Sequence, residues 1–258
     1  DQALKGVIVN ATQLSTSRVM MWEIRNKLNE LRNNGKRIVV FIDRANIDLY
    51  HFASVADFIV LDPLGYIALE GYSMGRSYYK NLLAKADIGY EEFRYFKYKS
   101  AAENFSRENF SEGDREQRQR LVDEWYEVAK SEIMLSRRNL TVQFDDLVNN
   151  QMGFLAEEAM TNKLVDKFDR WNNLNKFMRE YDLGVGVRSI YADKMYPEPI
   201  DDKWGDDEKS IAIIYAEGPC DLNTGIRARM LSDVLRKAYE KSSVKAIVLR
   251  VDSPGGDA

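Results

Sequence analysis

The chain is short of the side chains from which most enzyme chemistry starts. It has one cysteine, Cys220, in 258 residues, so no internal disulfide is available. Its one histidine, His51, lies among apolar neighbours in "DLYHFASVADF", which leaves Ser-His-Asp hydrolysis without a base. No group of His, Cys, Asp and Glu has metal-ligand spacing, and no metal or other cofactor is expected. No apolar run reaches the roughly 18 residues of a membrane helix, and "DQALKGVIVN" lacks the basic start and apolar core of a signal peptide. A net charge of -4 spread along the chain, without a basic stripe, argues against nucleic acid as a partner.

What is present describes a globular chain, 45% hydrophobic and 30% charged, long enough for one large core or two smaller ones. "KGVIVN" begins as if already in a strand, and "LRVDSPGGDA" stops in a glycine-rich turn, so a piece of a longer chain is expected. "KGVIVNA", "KRIVVFID" and "ADFIVLDP" are β-branched apolar runs suited to buried strands. The first two are joined by "SRVMMWEIRNKLNELRNNGK", with Met21, Ile24, Leu28 and Leu31 at helical spacing and Gly35 as its stop. The expected class is α/β, a largely parallel sheet with flanking helices. "GYIALEGY" is read as a further strand, "SYYKNLLAKAD" as a helix and "YEEFRYFKY" as a strand leading to Lys99. A long charged helix follows the capping pattern of Ser111 and Asp114, with Leu121, Trp125, Val128, Ile133 and Leu135 along one face. Shorter helices are expected over "TVQFDDLVNNQMGFLAEEAMTNKLVDKF" and "WNNLNKFMREYDLG".

Two prolines and an acidic cluster in "YADKMYPEPIDDKWGDDEK" mark a linker. The boundaries drawn are 1–189, a linker at 190–209, and 210–258, where "SIAIIYAEGP", "IRARMLSDVLRKAYEKSS" and "VKAIVLRVDSPGG" read as strand, helix, strand. Setting Lys5 to Val9 beside Lys245 to Leu249 suggests a diverged tandem repeat; two buried parallel strands also look alike without common origin. "SPGG" at 253 to 256 follows a strand end, where successive glycines let backbone amides approach a developing oxyanion, although Pro-Gly-Gly is also an ordinary turn.

Lys99 is the second candidate. A lysine of reference pKa about 10.4 is a free amine in only about one copy in two thousand at neutral pH. Service as a base needs burial or a cationic neighbour to lower that by two to three pH units, roughly 3 to 4 kcal/mol. Lys97 is the cation at hand, and Phe96, Tyr98, Ala101, Ala102 and Phe105 offer apolar walls; the alternative is a solvated lysine at a helix start.

"FRYFKYKSAAENF", with "GYSMGRSYYKNLLAKADIGYEEF" before it, "NKLVDKF" after it and "VKAIVLRVDSPGG" at the end, resembles the long, tandem-repeat form of the signal peptide peptidase A (protease IV) family. Phe96 and Asn104 depart from the glycine and proline often found there. The resemblance implies a ClpP/crotonase-like fold with the second repeat cut short. It implies a serine endopeptidase with a Ser/Lys dyad that degrades cleaved signal peptides. By the same resemblance Lys99 matches the general base, and Gly255 and Gly256 match the region of an oxyanion-hole amide. The nucleophilic serine has no match in this chain. Ile47, Asp48 and Leu49 stand where the first repeat would carry it, Ser100 adjoins the base, and Ser253 precedes a proline. The family further implies hydrophobic peptide substrates, a homo-oligomer, and attachment to the outer, periplasmic face of the bacterial inner membrane through a segment not in this chain. A crotonase-like acyl-CoA enzyme and a non-catalytic assembly scaffold are the competing expectations.

Overall fold

In this computed structural model the described residues are 4–151, 153–180, 191 and 209–256. They fall into two units, Asp1–Val187 and Arg188–Ala258. The linker expected at 190–209 lies outside the described residues except for Tyr191 and Lys209.

The first unit is built on β1 (Gly6–Asn10), β2 (Arg37–Ala45) and β3 (Phe58–Ala68), which run parallel in that order. Helix α1 (Arg18–Asn33) joins β1 to β2, starting where the Ser17 side chain accepts from Met20 N, and α2 (Ile47–Ala53) joins β2 to β3. The alternation along β2 divides the core. Ile38, Val40 and Ile42 face a large cluster that includes Leu28, Phe52 and Ile133. Val39 and Phe41 face a smaller cluster with Leu174 and Phe177, so β2 is buried on both sides.

The parallel sheet and its flanking helices are as expected, with several corrections in detail. "GYIA" is not a separate strand: it belongs to β3, which resumes pairing with β2 after a register shift between Ile42 and Arg44. The outer edge of β3 carries β4 (Gly153–Leu155), antiparallel, and β5 (Lys167–Phe168), parallel, both inside a stretch expected to be helical. Helices α3 (Lys80–Lys85), α4 (Glu103–Ser106), α5 (Glu112–Ser136), α6 (Phe144–Asn150), α7 (Ala156–Thr161) and α8 (Leu174–Glu180) complete the unit. On α5 the buried apolar residues are Ala129 and Ile133; Leu121 and Leu135 of the expected face are 42% and 65% exposed. "YEEFRYFKY" forms no strand: it is irregular chain with a turn at 96–98, and Phe93, Tyr95 and Phe96 are exposed.

The second unit holds β6 (Ser210–Glu217), α9 (Ala228–Glu240) and β7 (Val244–Asp252), with β6 and β7 parallel over their whole length. Gly6 to Val9 belong to β1 and Lys245 to Leu249 to β7. Ile211, Ile213 and Tyr215 of β6 and Val248, Leu249 and Val251 of β7 are all exposed.

Candidate active site

Lys99 sits on the irregular segment between α3 and α4, and its position is set by the first turn of α5. Ser111 caps that helix by accepting from Asp114 N at 3.2 Å. Asp114, 2% exposed, then serves as an anchor. Its carboxylate accepts from Arg76 Nη1 (3.0 Å), Arg118 Nε (2.9 Å) and Ser100 Oγ (3.0 Å). Arg76 Nη2 also donates to Ala101 O at 2.6 Å, so the residues that follow Lys99 are tied to a buried acid by side chain and backbone. Burial pushes the Asp114 carboxyl up, but the hydrogen bonds from Arg76, Ser100 and Arg118 outweigh it and hold the group below its ordinary range. On the preceding side, a Cβ at Gly113 would lie 2.5 Å from Lys97 O, so the loop rests directly on helix backbone. Gln117 Nε2 adds a bond to Tyr98 O at 3.1 Å.

The two lysines of the loop are treated differently. Lys97 Nζ donates to Glu116 at 2.9 Å and lies 3.5 Å from Glu112; its pKa is raised, first by the Glu116 hydrogen bond, against desolvation. It therefore stays charged, but its charge is answered. Lys99 Nζ has no hydrogen-bond or ion-pair partner among the described residues. The apolar enclosure expected around it is not formed by them: Lys99 is exposed, as are Phe96, Tyr98, Ala101 and Phe105, and only Ala102 is partly covered. Ser100, the neighbouring hydroxyl, has its proton committed to Asp114.

In the second unit Gly255 and Gly256 follow β7 with φ of +99° and +157°. A Cβ at Gly256 would stand 2.0 Å from Cys220 O, so both conformation and contact require glycine there. Cys220 N donates to Gly255 O at 2.8 Å and fixes the turn. Gly255 N donates to Ser253 Oγ at 3.1 Å, whereas Gly256 N has no partner among the described residues. Of the two expected amides, Gly256 N is thus the one left available. Ser253 Oγ also lies 3.9 Å from Cys220 Sγ.

His51 is structural: it is buried and its Nε2 lies 2.8 Å from Glu132 Oε2, which also meets Arg25. Among the described residues no group of three or more His, Cys, Asp or Glu is placed to hold a metal. The sequence reading missed Arg76, Gly113 and Asp114 as parts of the site. The sequence marks Asp114 only as a helix-start residue, and Arg76 gives no local signal.

Residues 30–185, with Lys99 and its Asp114 anchor inside them, match Peptidase_S49, peptidase family S49. The chain belongs to this family. The S49 chain is 24% identical to "Protease 4" of Haemophilus influenzae, over 100% of this chain and 45% of that protein. It is 26% identical to "Serine protease SPPA, chloroplastic" of Arabidopsis thaliana, over 100% of this chain and 40% of that protein. Among solved structures it is similar to a membrane-bound stomatin-specific protease, 1510-N, at TM-score 0.35 and 9% identity over 67% of this chain and 84% of that one. The S49 chain spans less than half the length of the curated relatives it matches. No helix among its described residues is long and apolar enough to cross a membrane.

Proposed function

We propose that this chain supplies the base and one oxyanion donor of a Ser/Lys endopeptidase that degrades apolar peptides, remnants of signal peptides in particular. The observation that carries the reading is the contrast between two lysines on one clamped loop. Lys97 is neutralised by carboxylates, and among the described residues Lys99 Nζ meets no partner. In this mechanism neutral Lys99 Nζ takes the proton from a serine Oγ as that oxygen attacks the scissile carbonyl, and the carbonyl oxygen becomes an oxyanion. The protonated lysine then returns its proton to the leaving amine; the family resemblance, taken separately, assigns an oxyanion-binding amide to the Gly255–Gly256 turn. The reading assigns the nucleophile to none of residues 1–258. Family membership and the relatives named as proteases support the chemistry. Exposed Phe93, Tyr95 and Phe96 near Lys99 in the chain support apolar substrates. A homo-oligomer and a place on the outer face of an inner membrane belong to the same proposal and rest on the family resemblance.

The test is kcat/KM on an apolar fluorogenic peptide in the full-length protein containing this chain. Lys99→Met is expected to cost about 10²- to 10⁴-fold, the range of a lost general base, and Lys97→Met far less. An enzyme indifferent to Lys99→Met, or an esterase activity abolished by Ser100→Ala, overturns the dyad assignment. Cleavage of charged peptides as fast as apolar ones overturns the substrate class.

A further inference from the structure

A cleft of about 660 Å³ opens in the first unit where β1 and β2 end and β3 bulges. Its volume lies in the range that takes small ligands, and the carboxyl ends of parallel strands are where such ligands bind. Phe41 and Trp171, with ring centroids 5.5 Å apart, give it an aromatic wall. Asp43, Arg44 and Asp62 line it as well.

The charged side chains of this cleft form no ion pair among the described residues. Asp43 Oδ1 accepts from Arg44 N at 2.8 Å and Asp62 Oδ1 from Leu64 N at 2.9 Å. The second oxygen of each carboxylate, and the guanidinium of Arg44, meet nothing among the described residues. Elsewhere in the unit half-buried acids are answered by cations: Asp48 by Arg18, Glu132 by Arg25, Asp145 by Lys130 and Asp166 by Arg137. Gly65 brings the groups together. A Cβ there would lie 2.3 Å from Asp43 O and 3.0 Å from Asp62 O, so only glycine lets the β3 bulge settle onto the end of β2.

From this arrangement we infer that the cleft binds a zwitterion, a short peptide with both ends free. Its ammonium is taken by Asp43 and Asp62, its carboxylate by Arg44, and one apolar side chain rests against Phe41 and Trp171. Two carboxylates and one guanidinium leave one negative charge in excess, so a peptide carrying a single basic side chain is accepted too. The site uses neither Lys99 nor the glycine turn and stands whether or not the chain serves a peptidase.

Titration calorimetry and backbone amide shifts, with Ala-Leu-Ala as the probe, test it. Free Ala-Leu-Ala is expected to bind and to move the amide signals of Asp43, Asp62 and Gly65. N-acetylation or C-terminal amidation should each weaken binding about tenfold, the worth of one charge-assisted hydrogen bond. Asp62→Asn should abolish the discrimination against the acetylated peptide, and Arg44→Gln that against the amide, with thermal melts confirming that each variant is folded. Both side chains are solvent-accessible, and Asp43→Asn provides an independent variant for the first arm. Equal binding of the doubly capped peptide overturns the inference, as does an amide form as tight as the free peptide, which marks a cation site only. Binding without shifts at 43–65 overturns it as well.

Discussion

Two lysines separated by one tyrosine meet different fates because carboxylates reach only one of them. Glu112 and Glu116, one turn apart on α5, take Lys97, and a base candidate survives at Lys99 because no carboxylate of the described residues reaches it. The opposite case is His51. Burial, the leading cause, depresses its pKa below the ordinary 6.5 despite the Glu132 hydrogen bond. The unfolded chain therefore binds this proton more readily than the folded one, and stability from the neutral ring is lost as pH falls from about 6.5 toward the depressed folded value. Thermal melts between pH 7.5 and 5.5 are expected to show that loss in the wild type and a flatter profile in His51→Gln. A steeper fall in His51→Gln would refute the structural role. Glu132, held below its ordinary value, contributes to a separate and more acidic window.

At the scale of elements, the start of α5 organises the site. Gly113→Ala would push a methyl against Lys97 O, and the expected cost is about 1 to 3 kcal/mol of stability, the range for overpacking. Because the same contact seats the loop, the peptidase activity proposed for the full-length protein should fall more than the loss of fold accounts for; chemical denaturation and kcat/KM, measured together, separate the two. Asp114→Asn leaves Arg76 and Arg118 without their acid in a buried setting. About 3 kcal/mol is expected to be lost, visible as a lower urea midpoint. Asp114→Asn at wild-type stability would show that the anchor is not one. Since the carboxyl is held low, its contribution is full above the ordinary value of 3.8 and disappears as pH falls through the lower folded value.

For the whole molecule, the two units differ in how they bury apolar surface. The first has a sheet covered on both faces, with Ile38, Val40 and Ile59 at 0% exposure. The second leaves Ile213 and Val248 near half exposed, and α9 has no buried residue. Such surface drives association. Light scattering on the 258-residue chain is expected to show self-association that Ile213→Thr combined with Val248→Thr reduces. Limited proteolysis is expected to cut first between 190 and 209, where the sequence concentrates Pro197, Pro199 and acidic residues. A monomer resistant to protease through that stretch would refute both expectations.

Strands β1 to β3 were legible because burial on both faces demands uninterrupted β-branched runs, and the start of α5 because a cap is a local hydrogen bond. Lys99 and the two glycines stood out from their motifs, and the positive φ at Gly255 and Gly256 is a backbone need that only glycine meets cheaply. "YEEFRYFKY" misled because its aromatic residues carry strand propensity, whereas the segment is held against the start of α5, where Gln117 Nε2 donates to Tyr98 O and Gly113 meets Lys97 O. Only tertiary structure decided which lysine is answered by acids, which glycine amide is unpaired among the described residues, and that Asp43, Arg44 and Asp62 line one cleft without an ion pair among them. The reason is reach. Helix caps and strand patterns join residues a few positions apart, whereas Arg76 meets Asp114 across 38 positions, and such distant contacts leave no periodic trace in the chain.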